Sequence, residues 1–120
     1  MIGVWIGIAL AGAAGAVARF VVDGIVLTRT GGRLPWGTAA INLTGAFALG
    51  IIAGAAPGHA LVLIAGTGFL GAYTTFSTWM LEVVLLGESG RTRAAALNLG
   101  GQLVIGFAVA ALGFGLGLQW

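Results

Sequence analysis

The residues best suited to chemistry in this sequence are the polar side chains of residues 71–79, which read GAYTTFSTW. Three threonines, a serine and a tyrosine lie within these nine residues. Hydroxyl groups both donate and accept hydrogen bonds, and an aromatic ring has a positive edge, so the stretch can replace the water around a small ion. An enzyme is not indicated, because the sequence pairs no nucleophile with a base and contains no cysteine.

The element that must position this stretch is an apolar run over residues 60–86. As one helix it would extend roughly 40 Å at about 1.5 Å per residue, against about 30 Å for the hydrocarbon core of a bilayer. In lipid, a polar centre is tolerated only where it is buried in protein or lines a cavity. Two interpretations stay open. The hydroxyls bond to carbonyls of their own helix, or the helix is broken near the midplane and its freed backbone handles an ion.

The composition indicates a membrane protein. The chain has 120 residues, of which 59% are hydrophobic and 7% charged, whereas soluble domains carry about 25% charged residues. The net charge of +2 comes with five arginines and no lysine. In so apolar a chain these arginines determine topology, and no nucleic-acid partner is expected. Without cysteine there is no disulfide or thiolate metal site.

Hydropathy predicts an all-α membrane protein with a single domain over residues 1–120. The four predicted spans lie at about residues 2–23, 36–54, 60–86 and 93–118. The first is a retained span and no signal peptide, because no basic segment precedes it and the apolar run continues past the small-residue site. Pro35 and Trp36 are typical of a helix start at the membrane interface.

Amide and hydroxyl side chains recur at four-residue intervals in two of these spans. Thr38, Asn42 and Gly45 share one face of the second span, and Asn98 and Gln102 share one face of the fourth. Such groups either join helices by hydrogen bonds or line a polar pathway. Both interpretations stay open for these residues on spacing alone.

Two charged residues lie near span ends. Arg19 either reaches the interface with its side chain or faces a watery vestibule, and Asp23 is available as its helical partner four residues on. Glu82 is either a hydrated interfacial carboxylate or a buried one paired with an arginine. The single histidine, His59, has no second histidine to form a metal site.

The distribution of arginines predicts the orientation in the membrane. Loops 24–34 and 87–93 hold Arg29, Arg33, Arg91 and Arg93, whereas the opposite side has no lysine or arginine. By the positive-inside rule these two loops are cytoplasmic and both termini lie outside.

Three sequence blocks resemble one family. Residues 12–20, GAAGAVARF, are similar to G-x-x-G-A-x-x-R-[YF], and residues 37–47, GTAAINLTGAF, to G-T-x-x-x-N-x-x-G-x-[FL]. Residues 71–79, followed by Glu82, are similar to G-x-x-T-T-F-S-T-F-x-x-E. Together these blocks resemble the CrcB/Fluc family of small fluoride channels, and the similarity covers essentially the whole chain.

The resemblance implies a fluoride-selective channel subunit of the cell membrane. Passive fluoride efflux through it would lower cytoplasmic fluoride and confer fluoride resistance. The resemblance also implies an antiparallel two-subunit assembly, with two pores at the interface between inverted subunits. A structural sodium ion (Na⁺) would be shared by both subunits and bound by the backbone carbonyls of Gly71 and Thr74, which makes residues 71–74 the expected break in the third span.

The same resemblance implies roles for individual side chains. Those along the fluoride path would be Asn42, Phe76, Ser77, Thr78 and Thr38, with Arg19 and Glu82 as vestibule or structural charges. Trp79 stands where the family has a second phenylalanine, which places that fluoride contact in question. Asn98 and Gln102 stand where the family usually has a tyrosine and a serine, so they are weaker pore-wall candidates.

The one-sided arginines also bear on the partner. A chain that inserts in one orientation needs an inverted partner, which is expected to be a paralogue in a heterodimer, with a homodimer as the alternative. Two other functions stay open. A small multidrug-exporter-like, proton-coupled antiporter would need a carboxylate in the first span, where this chain has Arg19. A non-conducting assembly subunit would use Asn98 and Gln102 only to join helices.

Overall fold

The computed structural model describes Met1–Trp120 as an all-helical chain. Four helical segments are long and apolar enough to cross a membrane: Ile2–Thr30, Trp36–Ala55, His59–Glu88 and Thr92–Gly117. The predicted four-helix membrane architecture is confirmed at this level. The molecule is 49 Å long, about the thickness of a bilayer with its headgroups.

Helices α1 (Ile2–Thr30) and α2 (Trp36–Ala55) are joined by a short loop. The expectation of a loop from residue 24 was wrong, because apolar helix continues until Gly31. Gly31 adopts φ 79° and its N–H donates to the carbonyl of Leu27. This left-handed cap is a conformation that glycine adopts without strain, so the first helix ends where the sequence first supplies such a residue.

The third span is built from several pieces. They are α3 (His59–Leu61), a π-helical stretch (Val62–Leu70), α4 (Gly71–Tyr73) and, after an interruption, α5 (Ser77–Glu88). The backbone leaves the helix at Thr74, whose ψ is 161°. The predicted broken helix is confirmed.

The break lies slightly further along the chain than residues 71–74, where we expected it. Gly71 is helical, with φ −61° and ψ −37°, and its N–H donates to the carbonyl of Gly66. This hydrogen bond spans five residues, as in a π-helix. The backbone therefore stays hydrogen-bonded through Gly71, and the interruption comprises residues 74–76.

Glycines bring the helices into close contact. A Cβ atom on Gly15 of α1 would collide with the carbonyl of Phe69 in the π-helical stretch. Helix α6 (Thr92–Gly117) runs parallel to α2, since Asn42 contacts Gln102 near their beginnings and Gly54 meets Gly117 near their ends. Close approach through small residues is a common way to pack helices in lipid.

The fully buried core is small. Ile41, Leu70 and Tyr73 form it where α2 meets the third span, and Phe69 stacks on Tyr73 at 6.0 Å between ring centroids. Most large apolar side chains lie on the outside, as expected for a surface that faces lipid. The core therefore lies directly against the break, and it anchors the residues before Thr74.

Candidate ion site at the break in the third span

The side chain of Asn42 on α2 stabilises the break in the third span by two hydrogen bonds. Its Oδ1 accepts the backbone N–H of Thr75 at 2.9 Å, and its Nδ2 donates to the carbonyl oxygen of Thr75 at 2.9 Å. One amide thus replaces both backbone partners that Thr75 would have in a continuous helix. Gly45 lets α2 come this close, because a Cβ there would collide with the side chain of Thr74.

The break leaves the backbone carbonyls of residues 71–74 without the N–H donors of a continuous helix, and those of Gly71 and Thr74 are the ones expected to bind sodium. In a continuous helix the N–H of Thr75 would donate to Gly71, and that of Thr78 to Thr74. Here Thr75 donates to Asn42, and Thr78 donates to Oγ1 of Thr75 at 3.3 Å. The carbonyl of Gly71 is therefore available to another partner. That of Thr74 accepts Nη1 of Arg19 at 3.4 Å and keeps its second lone pair for another partner.

These groups border an open groove of about 430 Å³, which we call the central groove. Its lining includes Asn42, Gly71, Thr74, Phe76, Trp79 and Gln102. The ring of Phe76 is 69% exposed and meets Trp79 in a T-shaped contact, with centroids 5.9 Å apart. The groove combines amides, freed carbonyls and an aromatic ring at one level of the molecule.

A row of amides joins α2 to α6. Nδ2 of Asn42 donates to Oε1 of Gln102 at 3.0 Å, and Nε2 of Gln102 donates to Oδ1 of Asn98 at 2.7 Å. The indole Nε1 of Trp79 donates to the backbone carbonyl of Asn98 at 3.2 Å. Gln102 borders both the central groove and a second, apolar groove between α2 and α6, whereas Asn98 borders only the second.

The predicted hydroxyl residues lie in two places. Ser77 and Thr78 are exposed in the first turn of α5, on the outer surface beside Phe76. Thr38 is only 3% exposed and lies in a separate cleft of about 380 Å³. Within one chain, therefore, the structure does not bring Thr38 together with Ser77 and Thr78.

Two of the three acidic residues, Asp23 and Glu82, line that separate cleft. Thr38 donates to Oε1 of Glu82 at 2.6 Å, while Oε2 of Glu82 is buried without a partner. Asp23 packs against Gly37 in the first turn of α2, a helix end that favours negative charge. Glu82 was expected to be either a hydrated interfacial carboxylate or a buried one paired with an arginine. Neither alternative matches fully, because Glu82 is partly buried and its partner is the hydroxyl of Thr38.

The hydrogen-bond partner of Arg19 is not Asp23, the residue that helical spacing made available. Its guanidinium donates to the carbonyl of Thr74, across to the break, and not along its own helix to Asp23. At the end of the molecule, Nη1 of Arg91 donates to the carbonyl of Arg33 at 2.9 Å. The first and third loops therefore lie together, with Arg29 and Arg93 at the adjoining ends of α1 and α6.

Sequence reasoning missed the partners of these groups. It singled out Asn42 as the one amide of the second span, but nothing in the spacing identifies Thr75 as its partner. Thr75 itself was treated as one hydroxyl among several, although its backbone is the point where the break is held. The signal that was available is Gly45, whose position one turn after Asn42 marks a close approach.

Comparisons with known proteins identify the family of this chain. The model of the family described as "CrcB-like protein, Camphor Resistance (CrcB)" matches residues 6–114. The protein named fluoride-specific ion channel FluC 2 of Mycolicibacterium paratuberculosis is 50% identical over 112 residues, covering 93% of this chain and 92% of the relative.

Further relatives have similar coverage. FluC 2 of Mycobacterium tuberculosis is 48% identical over 119 residues, 99% of this chain and 90% of the relative. FluC 1 of Leifsonia xyli subsp. xyli is 46% identical over 114 residues, 92% of this chain and 83% of the relative. With a family match over residues 6–114 and relatives of this identity along nearly its whole length, the chain belongs to the CrcB family.

Proposed function

We propose that the chain is a subunit of a fluoride-selective channel through which fluoride leaves the cell passively, so that cytoplasmic fluoride falls and the cell resists it. The observation that carries this proposal is the break held by Asn42 beside the exposed ring of Phe76, both on the central groove. The names of the relatives, fluoride-specific ion channels, support it.

The chemistry of the groove suits a small, strongly hydrated anion. Amide and hydroxyl groups donate hydrogen bonds, and the edge of the Phe76 ring is positive, so the anion is solvated without a full opposite charge. Sites of this kind are favourable but shallow, as conduction requires. The indole N–H of Trp79 donates to the carbonyl of Asn98, so Trp79 borders the central groove with the carbon atoms of its ring.

A second, inverted subunit completes the path. Phe76, Ser77 and Thr78 are exposed in the middle of a membrane span, where lipid supplies no hydrogen-bond partner for hydroxyls. An antiparallel partner covers this surface and contributes the same groups from the opposite direction. The central groove then becomes a pore wall shared by two chains.

A sodium ion fits the freed carbonyls of Gly71 and Thr74. Neutral carbonyl oxygens suit a hard cation, and both residues border the exposed groove where a second copy would meet the first. When bound, the ion supplies a fixed positive charge that pins the two subunits together. Replacing sodium by N-methylglucamine is expected to lower the dimer fraction measured by single-molecule photobleaching; an unchanged dimer fraction would contradict this assignment.

The arginine loops set the orientation. Arg91 donates to the first loop from the third, so the four arginines in and beside these loops gather at one end. That end is cytoplasmic, with both termini outside. The inverted partner is then a paralogue that inserts the other way, with a homodimer as the alternative. Reporters fused to each terminus of the chain, expressed without a partner, are expected to give one orientation. Equal populations of both orientations would contradict the proposal that the partner is a paralogue.

Fluoride efflux from liposomes tests the function itself. The purified assembly is expected to release fluoride electrogenically and without proton coupling. Phe76→Ile is expected to reduce this flux by about tenfold or more, roughly 1.4 kcal/mol in the barrier, whereas Phe20→Ile, at an 81% exposed ring on α1, keeps it. Proton-coupled export of organic cations would favour the antiporter, and no flux with any partner would favour an assembly subunit.

A further inference from the structure

Hydrogen bonds of the amide row form a circuit that starts and ends on the third span. It runs from the backbone of Thr75 to Asn42, on to Gln102 and then to Asn98. The indole N–H of Trp79 closes it at the carbonyl of Asn98. The circuit passes through α2 and α6, so it couples the break to the first turn of α5 by side chains from two other helices.

A count of donors shows what the circuit does to Asn42. The Nδ2 group has two N–H bonds, of which one donates to the carbonyl of Thr75 and the other to Oε1 of Gln102. Asn42 therefore has no N–H left for an anion in the central groove. An anion that binds Asn42 has to take the place of one of these two acceptors.

The two acceptors differ in how easily they are displaced. The carbonyl of Thr75 is part of the backbone and is held by the reciprocal bond from its own N–H to Oδ1 of Asn42. Oε1 of Gln102 is the end of a side chain that borders the same groove. Hydrogen bonds to an ionised acceptor are roughly twice as strong as neutral ones, so fluoride displaces the glutamine oxygen first.

Asn98 fixes which end of the Gln102 amide faces Asn42. Its Oδ1 accepts from Nε2 of Gln102 at 2.7 Å, which leaves the oxygen of Gln102 turned toward Asn42. If this bond were absent, the amide could rotate and present an N–H to the groove. The buried Nδ2 of Asn98 has no partner of its own, so this orientation is kept at the expense of an unpaired donor.

We propose that Gln102 is a positioning residue of the fluoride path: its side-chain oxygen, oriented by Asn98, competes with the anion for the N–H of Asn42. This inference rests on the proposed channel function. Gln102 thereby sets how readily Asn42 donates to fluoride, and Asn98 acts on the path only through Gln102. The hydrogen-bonded circuit therefore lowers the rate at which fluoride passes along the pore wall of this chain.

The test measures fluoride efflux from liposomes that contain the chain with whatever partner co-purifies. Gln102→Met keeps the side-chain length but removes the acceptor, and it is expected to raise flux roughly fivefold, the factor that one neutral hydrogen bond represents. Asn98→Leu, which releases the glutamine amide, is expected to raise flux by a smaller factor. Val104→Met, at a 69% exposed position of the same helix, is the matched control and leaves flux unchanged.

A second comparison separates positioning from a structural role. In an Asn42→Ser background, Gln102→Met is expected to give no gain, because the N–H for which glutamine competes is gone. A structural role predicts lower flux and lower thermal stability for Gln102→Met in both backgrounds. Unchanged or reduced flux in Gln102→Met, with a conducting wild type, would overturn the inference and leave the channel function standing. A wild type that conducts no fluoride would overturn the proposed function first.

Discussion

The two halves of the α2–α6 contact are built from different chemistry. In the half toward the helix ends, Gly50 and Gly54 of α2 face Gly113 and Gly117 of α6, and a Cβ at any of them would collide with backbone of the other helix. In the half toward the helix beginnings, side-chain amides of Asn42 and Gln102 span the gap. One half is backbone against backbone, and the other is side chain to side chain.

This difference gives the two halves different roles: the glycine half holds α2 against α6, and the amide half contributes to the ion site. The glycine half has no polar side chain to give to an ion, but it sets the distance between the two helices. The amide half depends on that distance, because a hydrogen bond is lost when its atoms move apart by more than a few tenths of an ångström. Loss of the glycine contact should therefore disrupt the amides, whereas loss of the amides should leave the glycine contact intact.

The largest expected effect comes from Gly50→Leu. The new side chain has to displace the backbone carbonyl of Ala110, which cannot give way as a flexible side chain does. Overpacking costs roughly 1–3 kcal/mol when side chains adjust, and we expect at least the upper end, seen as loss of a monodisperse peak in size-exclusion chromatography. Gly115→Leu is the control, because a Cβ at Gly115 meets nothing within 4 Å. If Gly50→Leu and Gly115→Leu behaved equally, the close glycine contacts would not be needed to hold α2 against α6.

A smaller effect is expected from Asn42→Ala, which removes both partners of Thr75 at the break. Leaving such backbone groups unpaired costs about 1–3 kcal/mol, and fluoride flux should fall by at least about tenfold. The glycine half should stay intact, so hydrogen exchange should speed up at the break and remain slow near Gly50 and Gly113. Faster exchange over the whole of α2 and α6 would show instead that the two halves stabilise each other equally.

Much of this architecture was readable from the sequence, because lipid restricts the choices. Four apolar runs of sufficient length predict four helices. Hydroxyls in the middle of the third left a break as one of two interpretations, and the family resemblance favoured it. The place of the break was off by a few residues, since the expected sodium ligands Gly71 and Thr74 were taken to mark it. The N–H of Gly71 nevertheless finds a carbonyl in the π-helical stretch, and the helix ends only where Asn42 captures Thr75.

The contacts between helices were beyond sequence reasoning. Thr75 lies 33 residues from Asn42, and Gln102 lies 60 residues from it. Helical spacing assigns each residue to a face but does not say which face meets which. The family resemblance grouped Thr38 with the hydroxyls of the third span, and it could not show that Thr38 donates to Glu82 in another cleft of the same chain.

The smallest expected effect comes from Trp79→Phe, which tests whether the amide half is one closed unit. A smaller aromatic ring remains beside Phe76, and the hydrogen bond to the carbonyl of Asn98 is lost. One net hydrogen bond is worth about 0.5–1.5 kcal/mol, and we expect the low end in a thermal melt, because the backbone of α6 holds Asn98 in place by itself. If Trp79 also stiffens the circuit around Gln102, flux should rise slightly in Trp79→Phe and not at all when Gln102→Met is already present. Independent, additive gains would show that Trp79 acts on the groove through its ring size alone.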